Sequence, residues 1–185
     1  MSIATTVIAD RILPRTLANN ISLVFGGAAL TAIAAQIQIP MWPVPMTMQT
    51  LAVLLVGAAL GAKRGALSLG LYLSLGAAGL PVFASAKSLT GVIPTAGYLV
   101  GFVAAAALVG YLATKGFSSS PLKMAFSFAL GSIVIYGFGV TGLMVALGLD
   151  FTSAIAAGVI PFLIGDVVKA AAAAALLPLA WKLVK

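Results

Sequence analysis

Long apolar runs recur along the whole chain and are separated only by short polar or Pro/Gly-rich breaks. Such a chain has too few polar side chains to coat a water-soluble globule, because only 7% of its 185 residues are charged, whereas soluble domains carry roughly 25%. Most of its surface must therefore face lipid. The sequence predicts an all-α, polytopic membrane protein in which small side chains let helices pack closely.

The apolar runs predict six transmembrane helices, with approximate bounds 20–36, 47–62, 65–80, 95–114, 121–149 and 153–183. The second and third are short for full spans, at about 24 Å each with the rise of an α-helix. A single re-entrant hairpin is the alternative for these two. Residues 1–19 are expected to form a cytoplasmic N-terminal segment, and 20–185 a membrane domain with a substrate site near its outer face.

The positions of the basic residues predict the orientation of the chain in the membrane. Cytoplasmic loops carry an excess of Lys and Arg. With a cytoplasmic N-terminus, eight of the ten basic residues face the cytoplasm, namely Arg11, Arg15, Lys63, Arg64, Lys115, Lys123, Lys182 and Lys185. Lys87 is on an outer connection and Lys169 lies inside a span. Both termini are therefore expected in the cytoplasm.

Two outer connections differ in character from the inner ones. Residues 37–46 read IQIPMWPVPM, with three prolines and no charge, so this segment cannot be helical throughout. Residues 81–94 are also irregular and mixed in polarity. These two loops are candidates for the rim of a binding site.

Asp166 and Lys169 are the two charged residues that lie in the interior of a predicted span, away from its ends. Three residues apart, they share one helix face, and charged residues at such positions are usually functional. The alternative is a salt bridge that only holds the bundle together, but buried pairs are often no more stabilising than apolar residues. Asp accepts hydrogen bonds and Lys donates them. Together they suit a neutral ligand group with adjacent donors and an acceptor, such as a urea or an amide, on an apolar body.

Aromatic side chains in or near the outer connections are candidates for the walls of this site: Trp42, Phe83, Tyr98 and Phe162. Ordinary interfacial or packing use is the alternative for each of them. Gly97 and Gly101 open the fourth span with a small-xxx-small spacing, which is a packing signal.

Ala28 and Ala32 form another small-xxx-small pair on the first span, with Gly27, Thr31 and Ala35 on the adjacent ridge. This face either packs inside the protein or presents a flat surface to another membrane protein. The residues alone favour internal packing.

Several absences argue against an enzyme. The chain has no Cys and no His, which removes thiolate nucleophiles and the commonest metal ligands. It lacks a GxxxxGK[ST] phosphate loop, an HExxH motif and a pair of carboxylates. We therefore expect no catalytic site, no ATPase site of its own, no metal and no cofactor.

Four segments resemble motifs of the BioY family, the biotin-binding substrate-capture (S) components of energy-coupling factor (ECF) vitamin transporters. They are IPMWPVPMTMQTLAVLLVGAALGAKRG at 39–65, AAGLPVF at 77–83, TAGYLVGF at 95–102 and PFLIGDVVK at 161–169. The resemblance covers the chain from about residue 20 to its end. It implies the ECF S-component fold and capture of biotin for uptake across the bacterial cytoplasmic (inner) membrane. It also implies a transmembrane coupling (T) subunit and ABC-type ATPase subunits as partners.

The resemblance also implies roles for particular residues. The family's GDxxK motif, used for biotin, falls on Gly165, Asp166 and Lys169, and its G-Y pair on Gly97 and Tyr98. The segment after PVF lines the site in the family, which here indicates Ser85, Lys87 and Ser88. Lys87, on an outer loop, is a candidate partner for the carboxylate of biotin. The family docks its first helix on the coupling subunit through an AxxxA pattern, which Ala28 and Ala32 match.

The chain departs from the family pattern in two places. The Gly-rich stretch that often follows PVF is ASAKSLTGV here, and a YxxGxxW string keeps Tyr136, Gly139 and Gly142 but lacks the Trp. These departures concern the exact wall of the pocket more than the ligand. Capture of another vitamin stays open as an alternative because subunits with other ligands share the ECF fold, and biotin transport without partner subunits stays open as well. A structural membrane protein is disfavoured by the buried charge pair, and a membrane enzyme by the missing His, Cys and paired carboxylates.

Overall fold

A computed structural model describes residues 7–89 and 93–184, which are mostly helical. The helices are α1 (Ala9–Ile12), α2 (Leu17–Gln36), α3 (Gln49–Leu60), α4 (Ala62–Ala77), α5 (Ala96–Thr114), α6 (Pro121–Leu147), α7 (Phe151–Gly158) and α8 (Leu163–Leu183). Between α2 and α3, the antiparallel strands β1 (Gln38–Ile39) and β2 (Met46–Thr47) form a short hairpin. The proline-rich outer connection is thus the hairpin and its loop.

The lengths of the helices bear on the predicted membrane spans. Within the described residues, four stretches are long and apolar enough to cross a membrane, namely α2, α5, α6 and the stretch Phe151–Leu183 that contains α7 and α8. Helix α3 is also apolar but has only 12 residues, and α4 has 16. The expectation of a mostly helical, multi-span protein is confirmed at this level, whereas six full spans remain a prediction.

The second helix is two residues shorter at each end than predicted, and the third lies three residues earlier in the chain. Helix α3 begins at Gln49 because Thr47 belongs to β2 and its hydroxyl accepts a hydrogen bond from the Gln49 backbone N–H at 3.2 Å. Helix α4 begins at Ala62 because Gly61 turns the chain with a φ of +86°, a conformation that favours glycine. Lys63 and Arg64 therefore lie in the first turn of α4 and not in a loop.

The predicted continuous sixth helix is broken. Helices α7 and α8 are separated by the turn Ile160–Phe162, since Pro161 has no N–H to donate to a helical hydrogen bond. The carbonyl oxygen of Gly158 at the end of α7 instead accepts a hydrogen bond from the Tyr98 hydroxyl at 2.7 Å. A side chain of α5 thus pairs with a backbone group at the break, as irregular backbone at membrane depth requires.

Helix α5 lies at the centre of the bundle and packs against α3, α4 and α6. Small residues permit these contacts. A side chain at Gly57 would collide with the backbone of Ala106, and one at Gly97 with the backbone of α6 near Gly142. The expectation that Gly97 and Gly101 serve helix packing is confirmed, because the Cβ of a residue at 101 would lie 3.1 Å from the Cα of Ile135 on α6.

The small-residue ridge of α2 faces inward at most of its positions, and docking of a partner through Ala28 and Ala32 stays a prediction. Ala28 is 3% exposed, and Thr31 and Ala35 are fully buried. Ala32 is half-buried and packs on the core. A Cβ at Gly27 would collide with Ser68 of α4, so the ridge gives close contact between α2 and α4. Internal packing, the alternative that the residues alone favoured, is what the structure has at Ala28.

Contacts between the helix ends bring the basic residues to one end of the bundle. The Trp181 indole N–H near the end of α8 donates to Ser118 at 3.0 Å, and Arg64 in α4 donates to Asn20 in α2 at 3.2 Å. We call this the basic end; the residues there are Arg11, Arg15, Lys63, Arg64, Lys115, Lys123 and Lys182. Lys87 lies at the opposite end, and Lys185 lies outside the described residues.

Candidate ligand-binding site

A cavity lies at the end of the bundle opposite the basic end, and the centre of a water molecule can occupy about 50 Å³ of it. Both outer loops contribute to its wall. The polar lining residues are Thr47, Gln49, Thr50, Thr95, Tyr98, Tyr136, Asp166 and Lys169. The apolar ones are Val44, Pro45, Phe83, Ala84, Leu99, Phe102, Ile135 and Phe162. The cavity therefore has a largely apolar body with one charged corner.

Asp166 and Lys169 form the charged corner. The Lys169 ammonium donates to Asp166 Oδ1 at 3.3 Å, so the two side chains share a helix face as their spacing predicts. Asp166 is 8% exposed and Lys169 is 6% exposed. Asp166 lies in the first turn of α8, where the helix dipole favours a negative charge. Both groups line the cavity, which places a buried charge pair where a ligand can reach it.

Two hydroxyl groups complete the hydrogen bonding of this pair. The Tyr136 hydroxyl of α6 donates to Asp166 Oδ2 at 2.6 Å. Lys169 donates to the Thr50 hydroxyl of α3 at 2.8 Å. The chain Tyr136–Asp166–Lys169–Thr50 therefore joins three helices across the cavity. The sequence alone did not assign Thr50 or Tyr136 to the site. Tyr136 does belong to the YxxGxxW string of the family, which lacks its Trp in this chain.

The pair retains hydrogen-bonding capacity that the described protein groups do not use. An ammonium has three donors, and two of those of Lys169 go to Asp166 and Thr50. A carboxylate has about four acceptor positions, and two of those of Asp166 are taken by Lys169 and Tyr136. One donor and about two acceptor positions remain for a ligand.

A second polar network fixes the loop that supplies Phe83. The Gln49 side-chain amide donates to the Tyr72 hydroxyl at 2.7 Å, and that hydroxyl donates to the Val82 carbonyl at 3.2 Å. The rings of Tyr72 and Phe83 pack edge to face with centroids 5.2 Å apart. Gln36 adds a hydrogen bond to the Phe83 carbonyl at 3.1 Å. The apolar wall at Phe83 is thus held by contacts from three helices.

The other residues that the sequence indicated for this site do not all line the cavity. Phe83, Tyr98 and Phe162 lie in the cavity wall, but the Tyr98 hydroxyl is engaged by Gly158 and Gly97 packs on α6. Trp42 is 81% exposed and is not among the lining residues.

The loop after Phe83 lies at the rim of the site. The Ser85 hydroxyl accepts a hydrogen bond from Gln38 in the hairpin at 2.8 Å, which ties the two outer loops together. Lys87 is exposed and Ser88 half-buried. In the parts of the chain that the structure describes, no three His, Cys, Asp or Glu side chains are grouped so as to hold a metal ion.

The sequence of this chain is similar to those of a family of known proteins. A family model described as "BioY family" matches residues 5–185. The biotin transporter BioY of Rhizobium etli is 41% identical over 143 residues, which are 72% of this chain and 76% of that protein. The biotin transporter BioY of Thermotoga maritima is 39% identical over 156 residues, covering 79% of this chain and 86% of the relative.

A solved structure has the same fold. It is the S-component for biotin from an ECF-type ABC transporter, which superposes with a TM-score of 0.82 over 92% of this chain and 94% of that one. The two sequences are 22% identical, so this likeness concerns the arrangement of the helices.

Proposed function

Because the chain belongs to the BioY family, we propose that it captures biotin and mediates its uptake as the substrate-binding subunit of an ECF transporter. The names of its relatives support biotin as the ligand, and the S-component fold supports an ECF transporter as the type of system. The chain works as a transport protein, and the energy for uphill uptake comes from a coupling subunit and ABC-type ATPase subunits.

The observation that carries the proposal is the hydrogen-bonding capacity left at Asp166 and Lys169. The ureido ring of biotin has two N–H donors and one carbonyl acceptor. The pair offers about two acceptor positions on the carboxylate and one donor on the ammonium, beside the bonds it already makes to Tyr136 and Thr50. The charged corner therefore complements a ureido group in number and kind of partners.

The rest of the cavity suits the rest of biotin. Phe83, Phe102 and Phe162 give it an apolar wall for the thiophane ring, and burial of apolar area is the main favourable term in such binding. We place the valerate carboxylate toward the rim, where the exposed Lys87 can pair with it. Ser85 and Ser88 are proposed contacts at the same rim. Gly97 and Trp42 have weaker support, since neither lines the cavity.

We propose that the chain has the membrane topology expected from its sequence. Six membrane-crossing segments, namely α2 to α6 and the α7–α8 stretch, place both termini at the basic end, and the positive-inside rule puts that end in the cytoplasm. The cavity then opens toward the outer face of the cytoplasmic membrane. A substrate-capture subunit requires this orientation.

The direct test is whether the chain alone retains biotin. The protein is purified in detergent and incubated with labelled biotin, with riboflavin and thiamin as controls and Asp166→Asn and Lys169→Ala as variants. We expect retention of biotin by the wild-type chain and its loss in both variants. Retention of a control vitamin in place of biotin, or an unchanged affinity in either variant, would overturn the proposed ligand or its site.

A further inference from the structure

A second, larger groove runs along the outside of the bundle at the basic end, between α2 and α4. The centre of a water molecule can occupy about 970 Å³ of it. Its wall on α4 extends from Ala62 to Ser74, a length of about 18 Å at the rise of an α-helix. One leaflet of hydrocarbon is about 15 Å thick. We call this feature the basic-end groove; its length matches one lipid acyl chain in a single leaflet.

The body of the groove is apolar. Leu17, Ile21 and Phe25 of α2 face Leu67 and Gly70 of α4 across it. Leu17 is 77% exposed and Phe25 is 58% exposed. Gly70 has no heavy atom within 4 Å of the place where a Cβ would lie, so the floor is open at the midpoint of its length. An acyl chain fits this body in chemistry and size.

The mouth of the groove carries positive charge. Its lining contains Arg15, Lys63 and Arg64 against the single carboxylate of Asp10, which leaves two net positive charges. Arg64 is held inward by Asp10, Asn20 and the Leu60 carbonyl. The Arg15 side chain is 68% exposed and Lys63 is exposed. These two side chains are therefore the ones placed to meet an anion.

Asp10 is already paired with both arginines and offsets only one of the three positive charges. Its two carboxylate oxygens accept hydrogen bonds from Arg15 at 2.6 Å and from Arg64 at 2.7 Å. Although burial raises the pKa of Asp10, the hydrogen bonds from these guanidinium groups outweigh it and hold that pKa below its usual value. Asp10 thus stays ionised at neutral pH and holds the two guanidinium groups in place through one hydrogen bond to each.

The start of α4 adds backbone donors at the same mouth. Gly61, the N-cap of α4, makes no side-chain capping hydrogen bond, and residues 61–64 all line the groove. The first N–H groups of a helix favour a phosphate, through their free donors and the helix dipole. The basic side chains, the helix start and the apolar groove all meet at one place.

We propose that the basic-end groove binds one anionic phospholipid, with its phosphate at Arg15, Lys63 and the start of α4 and one acyl chain along the groove. This proposal does not depend on the identity of the captured vitamin. It makes the lipid composition of the cytoplasmic leaflet a determinant of the stability of the α2–α4 face.

The headgroup is tested by the effect of lipid on thermal unfolding in detergent. Phosphatidylglycerol should bind in native mass spectra and raise the melting temperature, and phosphatidylcholine with the same acyl chains should do so much less. In Arg15→Gln/Lys63→Gln, at least half of the gain from phosphatidylglycerol should disappear. Lys115→Gln/Lys123→Gln is the matched control, since both lysines are exposed at the same end and outside the groove. An equal loss in the control would overturn the proposal.

The acyl chain is tested by filling the groove. Gly70→Leu places a side chain into it, and Gly137→Leu places one in open space on α6. Only Gly70→Leu should weaken phosphatidylglycerol binding, and glycerol phosphate without acyl chains should not compete. Competition by glycerol phosphate would indicate a free-anion site and contradict the proposal. Unchanged lipid binding in Gly70→Leu, with loss of uptake when partner subunits are present, would assign the groove to a partner helix instead.

Discussion

The hydroxyl groups of Tyr136 and Thr50 each make one hydrogen bond to a buried charge in the candidate site. Neither contacts the other charge, so each helps to hold one member of the pair. Burying a charge is expensive unless it is hydrogen-bonded. The two hydroxyls therefore position the carboxylate and the ammonium before a ligand arrives.

Removing either hydroxyl should weaken biotin binding more than it weakens the fold. Tyr136→Phe and Thr50→Val each delete one hydrogen bond to a charged group, worth about 1.5–3 kcal/mol. This corresponds to a roughly 10- to 100-fold rise in the Kd for biotin, measured by titration calorimetry on the purified chain. Tyr111→Phe is the control, because Tyr111 is 54% exposed on α5. A lowered melting temperature with unchanged Kd would show that the hydroxyls serve only the fold.

The charged residues of this site could be predicted from the sequence, whereas the neutral ones could not. Asp166 and Lys169 stand out because charges are rare inside apolar runs. Hydroxyls are common there and usually bond to their own helix, as Thr141 does with the Gly137 carbonyl at 2.9 Å. Nothing in the local sequence distinguishes Thr50 from Thr141, since the difference is a contact with Lys169, 119 residues away.

At the scale of helices, the bundle depends on where small residues face. The ridge of Gly27, Ala28, Thr31 and Ala35 is buried against neighbouring helices, whereas Ala29 on the same helix is exposed. Spacing alone identifies a small-xxx-small ridge but does not say which side of the helix faces inward. The low amphipathicity of a lipid-facing helix removes the usual clue, because lipid and core are both apolar.

Paired tryptophan substitutions test this assignment. Ala28→Trp should lower the melting temperature and reduce the monodisperse fraction in detergent, since overpacking a core costs about 1–3 kcal/mol or more. Ala29→Trp should leave both close to the wild-type values, because that side chain points away from the core. Equal behaviour of the two variants would mean that α2 does not pack through Ala28.

The break between α7 and α8 shows which helix bounds the sequence could predict. The stretch of residues 153–183 is largely apolar apart from Asp166, Lys169 and Lys182, and hydropathy therefore predicts one helix. Pro161 is the local signal of a break, but prolines are tolerated in membrane helices when other groups satisfy the freed backbone. Here the Tyr98 hydroxyl does so at Gly158, and that partner lies 60 residues away in the chain.

At the scale of the whole molecule, the basic residues of the loops and helix ends lie at one end of the bundle and the ligand cavity lies at the other. The basic residues gather at the end where Arg64 of α4 contacts Asn20 of α2 and where Trp181 of α8 contacts Ser118. The ligand cavity lies under the two outer loops at the other end. The alternation of apolar runs and basic breaks was enough to predict this polarity, since antiparallel neighbouring helices bring every second connection to the same end. The shape of the cavity could not be predicted, because it depends on side chains from five separate segments.

The central claim is that Asp166 and Lys169 recognise the ureido group of biotin, and it is tested most directly with 2-iminobiotin. At neutral pH this analogue carries a guanidinium where biotin has the carbonyl acceptor, so it would set a positive charge against Lys169. We expect titration calorimetry at pH 7 to show it binding at least about 100-fold more weakly than biotin, equivalent to about 3 kcal/mol. In Lys169→Met, the ratio of the Kd for 2-iminobiotin to the Kd for biotin should fall, since Asp166 is then free to pair with the cation. Equal affinity of the wild-type chain for both ligands, or an unchanged ratio in Lys169→Met, would contradict the account.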